Sequence, residues 1–492
     1  MGITKLDRVG SFFGVSVAFS LAIGGCAMQN PAPMTQDLPA GFEGGGGQLI
    51  AGQWPSKDWY REFNSEELNS LVEAAATNNG DVAVARARVA QADARSRQAG
   101  AAILPSVDAT GNANYLAGHS SHGGGHELDW SAMLSASYEL DFWGKNRASA
   151  LSARLQAGAA RVDKDTIALT TLAGVANGYF QILSLRERRA IARDNLDAAR
   201  HLLDVVQARF EAGIATPVEL ATQNGTYDTA QIAVVDLEQT EFEARTALSL
   251  LLGRAPEGFQ VMTRPLDELR EPTVSAGLPS ELLRRRPDLV LAETNLRAGH
   301  ADLAAARAAM FPSISLTAGA GVQNPALPAT VLTIPGIGPS FALGASLVQP
   351  IFDHGRLKAQ RDEVSAKEQE QIASYRAVIV AALIDVENAL AEIHHLDASR
   401  EFQMENIAQS ERAFDGAKLR YQAGSGDYLT LLEAQRTLYV ARDQFVQYKL
   451  ARLTALVSLN KALGGGWSPT TAMDAQPSTS TTNPSMTWNL IR

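Results

Sequence analysis

The chain has 492 residues, of which 43 are basic and 53 acidic, for a formal net charge of −10, and it contains one cysteine. An acidic balance argues against nucleic-acid binding, which needs a basic face. A lone cysteine rules out a disulfide framework within the chain and any multi-cysteine metal site, so packing and association must supply stability.

Residues 1–26 have the layout of a secretory signal. Lys5 and Arg8 give a positive start, Phe12 to Gly25 are apolar or small, and Ile23-Gly24-Gly25-Cys26 closes the stretch. An ordinary signal with an incidental thiol is one reading. Small residues directly before the only cysteine favour a lipoprotein signal, with Cys26 acylated as the first mature residue. Each buried methylene is worth about 0.8 kcal/mol, so several acyl chains anchor a protein without a spanning helix. Removing this segment takes away Lys5, Arg8 and Asp7, and leaves 41 basic against 52 acidic residues. No later apolar run of about 18–20 residues suggests a transmembrane helix, so any membrane crossing must use strands.

Residues 27–63 are rich in Pro and Gly, including Gly44 to Gly47, and read as an extended linker to a body starting at residue 64. An Ala-rich, Pro-free segment from Leu68 to Ala102 predicts a helix, ended by Pro105. Residues 106–115 alternate, with Val107, Ala109, Ala113 and Tyr115 on one face and Ser106, Asp108, Thr110, Asn112 and Asn114 on the other. After a Gly/His-rich loop over 116–129, a second alternating stretch runs through Ala132, Leu134, Ala136, Tyr138 and Leu140. No Pro occurs from 106 to 216. A long helix is expected up to the Ala212-Gly213 turn, and a shorter one returns over about 217–251. Residues 254–287 form a connector.

The second half repeats this order. Asp81 and Pro105 return as Asp288 and Pro312, and Arg209-Phe210-Glu211-Ala212-Gly213 returns as Arg420-Tyr421-Gln422-Ala423-Gly424. So long a period excludes short solenoid repeats and implies a duplicated half-domain, 64–253 and 288–464. Alternation recurs at Ile314, Leu316, Ala318, Ala320 and Val322, and at Phe341, Leu343, Ala345 and Leu347, around a Pro/Gly-rich loop over 323–339. From Arg356 to Gly424 a helix would be about 100 Å long. Its apolar residues Ile372, Tyr375, Ile379, Ala382, Val386, Ala389, Ile393 and Leu396 form a coiled-coil seam. Val162, Leu169, Leu172, Ala176, Tyr179 and Leu183 match it 210 residues earlier, interrupted by Asp165. A return helix over about 427–462 follows, then a Ser/Thr/Pro-rich tail, 465–492, expected to be disordered.

The fold class is therefore mainly α with a small β portion. Four strands per chain cannot close a membrane barrel, for which the smallest known examples have about eight, so a transmembrane sheet requires several copies. A small sheet capping a soluble helical bundle is the alternative. Trp130 and Trp143 bracket the second strand, and Phe341 and Phe352 the fourth, as interfacial belts or as core.

The sequence resembles the TolC-like outer membrane factors, in the lipoprotein branch of the OprM and NodT type. The resemblance rests on the Cys26 lipobox, Asn79 to Asp81, the Tyr138 to Lys145 segment, Leu283 to Asp288, Phe311-Pro312-Ser313, Gln349 to Asp353, and Arg420 to Gln435. It implies a homotrimer with a twelve-stranded outer-membrane barrel continuous with a twelve-helix periplasmic barrel. It also implies the exit duct of a tripartite efflux pump, partnered by a periplasmic adaptor and an inner-membrane transporter. A type I secretion duct and a structural coiled-coil tether are the alternatives.

The resemblance places a periplasmic gate at Leu429, Glu433 and Arg436, which share a helix face; a plain solvated face is the other reading. Asp427 stands where an N-cap follows the turn. Arg420 and Tyr421 are candidates to lock the closed tip, with Arg209 their counterpart, although a structural role in the turn fits equally. The turns at Gly213 and Gly424 are the expected adaptor contact zone. His119, His122 and His126 lie in a Gly-rich stretch that fixes no ligand geometry, so no metal site is expected there. No catalytic constellation appears, and the only attached group expected is the lipid on Cys26.

Overall fold

The computed structural model of the protein describes residues 41–44, 54–120, 123–262, 264–273, 279–324 and 338–469. Cys26 and most of the tail lie outside them. A 3-10 turn, Trp59–Phe63, comes first, where the composition predicts extended linker. Trp59 and Phe63 are buried among Tyr179, Phe180 and Leu68, so their aromatic bulk, rather than the surrounding Gly and Pro, decides the local structure.

Helices α1 (Glu66–Asn78) and α2 (Gly80–Ala101) replace the single helix expected from Leu68. The break is Asn79. Its Oδ1 accepts from Val82 N at 3.0 Å as the N-cap of α2, and its Nδ2 donates to Leu251 O at 2.8 Å. Strands β1 (Ser106–Ser120) and β2 (Gly123–Leu140) follow, paired as far as Ser120 and Gly123. The Gly/His stretch expected as a loop is thus largely strand. It lacks proline, so nothing removes its ladder donors.

Helix α3 (Lys145–Glu211) and helix α4 (Pro217–Leu251) form the first helical hairpin. A short α5 (Pro279–Arg285) and α6 (Pro287–Ala308) lead to β3 (Ser313–Asn324) and β4 (Gly338–Val348). Residues 325–337 between them lie outside the described residues. Helix α7 (Arg356–Gln422) and helix α8 (Tyr428–Ala462) form the second hairpin. Both long helices have 67 residues and both returning helices 35. The two hairpins therefore run at a constant offset of 211. The seam matched at 210 from sequence is one residue out: Ile379, Ala382 and Val386 correspond to Ala168, Thr171 and Val175. The error arose because α3 is buried on several sides, which leaves its apolar residues without a single stripe.

The sheet is an antiparallel meander, β1-β2-β3-β4. Its register brings the alternating apolar residues together: Ala109 faces Leu134, Leu134 faces Ala320, and Ala320 faces Phe341. The opposite face is polar, with hydroxyl pairs Ser106–Ser137 at 2.9 Å and Ser315–Ser346 at 2.8 Å. Among the described residues, the outer edges of β1 and β4 pair with no strand.

Each long helix runs about 100 Å, and beside it two shorter helices stack end to end. Gly253, just past α4, lies so close to Asn78 that a Cβ would stand 2.1 Å from its carbonyl oxygen. Gly464, past α8, meets Arg285 in the same way. The second junction is closed by the buried Arg286. It donates to Ala462 O at 3.0 Å, to Asp288 Oδ2 at 2.7 Å and to Asp385 Oδ2 at 3.0 Å. Burial alone would lower its pKa, but the hydrogen bonds it donates to Asp288 and Asp385 outweigh that and hold it above its ordinary value.

The main core lies where α3, α4 and α8 meet α1 and the connector, and contains Tyr179, Phe180, Leu248 and Val457. An 18-residue window of α3, with mean hydropathy 1.2, is long and apolar enough to cross a membrane by length and composition. The sequence reading missed it because the window barely reaches that hydropathy. It is 44% buried within the protein, in keeping with a core helix. Asp165, the break in the first seam, accepts a hydrogen bond from Trp467 Nε1 at 3.0 Å. Residues 465–467, assigned to the tail, pack against the body: Gly465 lies against Leu169 and Trp59, and Gly466 against Ser56.

Candidate functional site

The end of the molecule remote from the sheet is built from the two interhelical turns. Gly213 and Gly424 adopt φ of 73° and 75°, a region open to glycine at little cost. That conformation folds Ile214 N back onto Arg209 O at 2.8 Å and Ser425 N onto Arg420 O at 3.0 Å, so the last carbonyls of α3 and α7 are satisfied. The returning helices are capped by side chains. Thr216 and Glu219 form a reciprocal capping box on α4. Asp427 accepts from Thr430 N at 2.8 Å and from Thr430 Oγ1 at 2.6 Å. These bonds hold its carboxyl below the usual carboxylate range.

Between the turns sits a small apolar cluster of Leu202, Val206, Tyr421, Tyr428 and Leu431. It joins α3 to the second hairpin. The guanidinium of Arg209 lies 4.6 Å from the centre of the Tyr421 ring and donates to Tyr421 O at 3.4 Å. Arg209, expected as the structural counterpart, is thus the arginine that bridges the hairpins within the chain. Arg420 is exposed and has no side-chain partner among the described residues.

Further polar ties hold α8 to its neighbours. The Tyr428 hydroxyl donates to Gln223 Oε1 at 2.7 Å, and Gln223 Nε2 donates to Ala199 O at 2.8 Å. Gln435 Nε2 donates to Asn195 Oδ1 at 3.1 Å, and Arg188 is bidentate on Asp443 at 2.7 and 3.2 Å. Gln223 is fully buried, yet nothing in the sequence singles it out. Its equivalent in α8 is Ala434, so the repeat gave no signal.

Leu429, Glu433 and Arg436 all lie exposed on one face of α8. Arg436 Nη2 contacts Glu433 Oε1 at 3.1 Å, a neutralising pair that the sequence reading did not anticipate. Spacing alone allows it, because residues three apart are neighbours on a helix. The arrangement offers an apolar residue, a compensated charge and no reactive group.

A family model described as Outer membrane efflux protein matches residues 71–254 and 278–465, most of the chain. The chain belongs to this family. As a family member it is an efflux channel protein of the Gram-negative outer membrane that extends into the periplasm. It is 42% identical over 463 residues to the pyoverdine export outer membrane protein OpmQ of Pseudomonas aeruginosa, covering 92% of this chain and 96% of that protein. Among solved structures, the outer-membrane channel OprN matches with a TM-score of 0.81 and 25% identity, over 89% of this chain and 99% of that one. The open state of the Neisseria gonorrhoeae channel MtrE matches with a TM-score of 0.77 and 28% identity, over 88% and 96%.

In this efflux protein, His122 and the side chains of His119 and His126 lie outside the described residues. Among the described residues no group of three or more His, Asp or Glu side chains is placed to hold a metal ion. Trp143 is half exposed, its ring stacked on Phe311 at 4.8 Å and its Nε1 donating to Pro312 O at 2.8 Å. Phe341 and Phe352 are exposed rather than core.

Proposed function

We propose that three copies of this chain form an exit duct, with their sheets joined edge to edge as a twelve-stranded barrel and their helical hairpins as a tube across the periplasm. The observation that carries this reading is the sheet, one face apolar and one polar, with both outer edges unpaired among the described residues. In a membrane such edges must be closed, and four strands are too few. The matched halves fit a duplicated unit, 64–253 and 288–464, supplying two helical columns each.

The tip is the closed end. Leu429 forms an apolar constriction, and Glu433 with Arg436 a ring of compensated charge. The Arg209–Tyr421 and Tyr428–Gln223 contacts hold α8 inward, and Arg420 is free to reach a neighbouring copy. A periplasmic adaptor docks near Gly213 and Gly424 and delivers cargo from an inner-membrane transporter. Opening moves the α7–α8 hairpin, since Leu429 and Glu433 correspond to Val218 and Thr222 in the first hairpin. Cys26 carries the lipid anchor. The similarity to OpmQ favours an organic siderophore of the pyoverdine type as cargo.

Two experiments test this. A deletion strain should retain secreted siderophore in the periplasm, and re-expression should restore export; unchanged export sinks the cargo assignment. Purified protein should migrate as a heat-modifiable trimer and conduct ions in a planar bilayer. A monomer that conducts nothing sinks the duct.

A further inference from the structure

Four junctions join the sheet to the helices, and all have the same order of side chains. Moving from sheet to helix, an exposed apolar residue comes first and an exposed basic residue second. At the β2–α3 junction these are Trp143 and Arg147, and at the β4–α7 junction Phe352 and Arg356, with Lys358 behind. Where the chain runs from helix to strand the order is kept in space, with Arg307 before Phe311 and Arg97 before Leu104.

Helix electrostatics do not explain the cations on α3 and α7. A helix N-terminus carries partial positive charge and disfavours Lys and Arg, yet neither first turn holds an acidic residue. Local ion pairing accounts for the cations on α3 but not for all the others. Asp141 caps α3 and holds Arg147, Glu139 holds Lys145, and Asp353 accepts from Gly355 N and Leu357 N and also feels the charge of Arg356, without a direct ion pair. Arg97, Arg307, Arg356 and Lys358 have no salt-bridge partner among the described residues. Asp302 and Glu363 lie deeper, about 9–11 Å from the sheet ends of their helices at 1.5 Å per residue.

By the same rise, the unpaired cations lie within about 6 Å of those helix ends. A headgroup layer is about 5–7 Å thick. We infer that this band is a collar for anionic phospholipid headgroups in the periplasmic leaflet of the outer membrane. The apolar side chains lie against the acyl-glycerol boundary, and Arg97, Arg307, Arg356 and Lys358 lie against the phosphates. The inference rests on the sheet being the membrane wall.

The test uses the full-length protein carrying Trp130→Phe and Trp488→Phe, in which Trp143 reports on the collar and Trp54, Trp59 and Trp467, in the helical body, give a background common to both lipids, in vesicles containing brominated phosphatidylglycerol or brominated phosphatidylethanolamine. Quenching should favour phosphatidylglycerol by about fivefold at low salt, the weight of one basic residue near an anionic surface. The preference should fall with added salt. Combining Arg97→Gln, Arg307→Gln, Arg356→Gln and Lys358→Gln should bring the ratio near one. Equal quenching by the two lipids with the four cations intact overturns the collar, as does a preference that survives their removal. If the quadruple variant does not assemble, the salt dependence of the parent decides: a preference indifferent to salt overturns the inference. Quenching by neither lipid sinks the membrane-wall reading and the collar with it, whereas equal quenching sinks the collar alone.

Discussion

The hydroxyl of Tyr428 donates to the buried amide oxygen of Gln223 at 2.7 Å, tying the first turn of α8 to α4 of the other hairpin. Gln223 is in turn anchored to Ala199 O, so three helices meet at one side chain. Gln223→Leu should leave the hydroxyl without an acceptor and weaken this tie between the hairpins by about 1–3 kcal/mol. The expected result is a higher resting conductance in planar bilayers, with trimer content unchanged on gels. A conductance equal to that of the unmodified protein would remove Gln223 from the latch.

Burial, with Tyr421 and Glu219 nearby, pushes the Tyr428 phenol up to about 12. The fold therefore favours the protonated, donating form. Its contribution is intact below the ordinary phenol pKa of about 10 and is lost as pH rises through about 12. Thermal melting followed across this range should show a step that Tyr428→Phe lacks.

Arg436 compensates Glu433 on the same exposed helix face. An exposed pair of this kind adds little stability, so Arg436→Ala should change unfolding by less than about 1 kcal/mol. In the proposed duct it should nevertheless leave an uncompensated acidic ring, which attracts cations. Reversal potentials under a salt gradient should shift towards cation selectivity, and no shift would place these residues away from the conduction path.

Arg286 is buried between α6, α7 and α8 and links Asp288, Asp385 and Ala462 O. Arg286→Ala should cost about 3 kcal/mol, the low end for breaking a buried pair, because Asp385 retains access to water. Urea unfolding of the detergent-solubilised protein would register it. Arg286→Lys should restore only part, since one ammonium cannot reproduce the fork.

Asp141 and Asp353 accept backbone N–H groups in the first turns of α3 and α7. Burial would raise Asp141, but hydrogen bonds from Arg147 and Asn146 outweigh it and depress the carboxyl; bonds from Leu357 and Gly355 depress Asp353. A depressed carboxylate contributes stability above its unfolded pKa of about 3.9 and loses it as pH falls through the folded value. Asp141→Ala should therefore lower the melting temperature at neutral pH, and the difference should shrink below about pH 4.

Most of the helical framework was legible because its signals are local. The absence of proline, the Ala-Gly turns and the caps place α4 at Pro217–Leu251 and α8 at Tyr428–Ala462, close to the spans expected. Strand alternation placed the apolar residues on one face, as the register of Leu134 with Ala320 shows. What escaped depends on partners far along the chain. Asn79 breaks a helix because Leu251 lies across from it, and Asp165 sits in a seam because Trp467 reaches it. At the tip, the resemblance pointed to α8, but Gln223 is a buried tie between the hairpins only because Tyr428 is there to meet it.

The matched rods and stacked short helices also restrict how this molecule can change length in evolution. Inserting one residue in α3 would rotate everything beyond it by about 100° and advance it by about 1.5 Å, turning its core side to water. Seven residues restore the facing side, and only if α7 and the two stacked columns beside them gain the same length. The abutting ends at Gly253 and Gly464 are breaks at which a column can absorb a small mismatch without losing intrahelical hydrogen bonds. A lineage needing a longer or shorter reach across the periplasm would have to alter all four columns in whole heptads, and so would change length in rare, large steps.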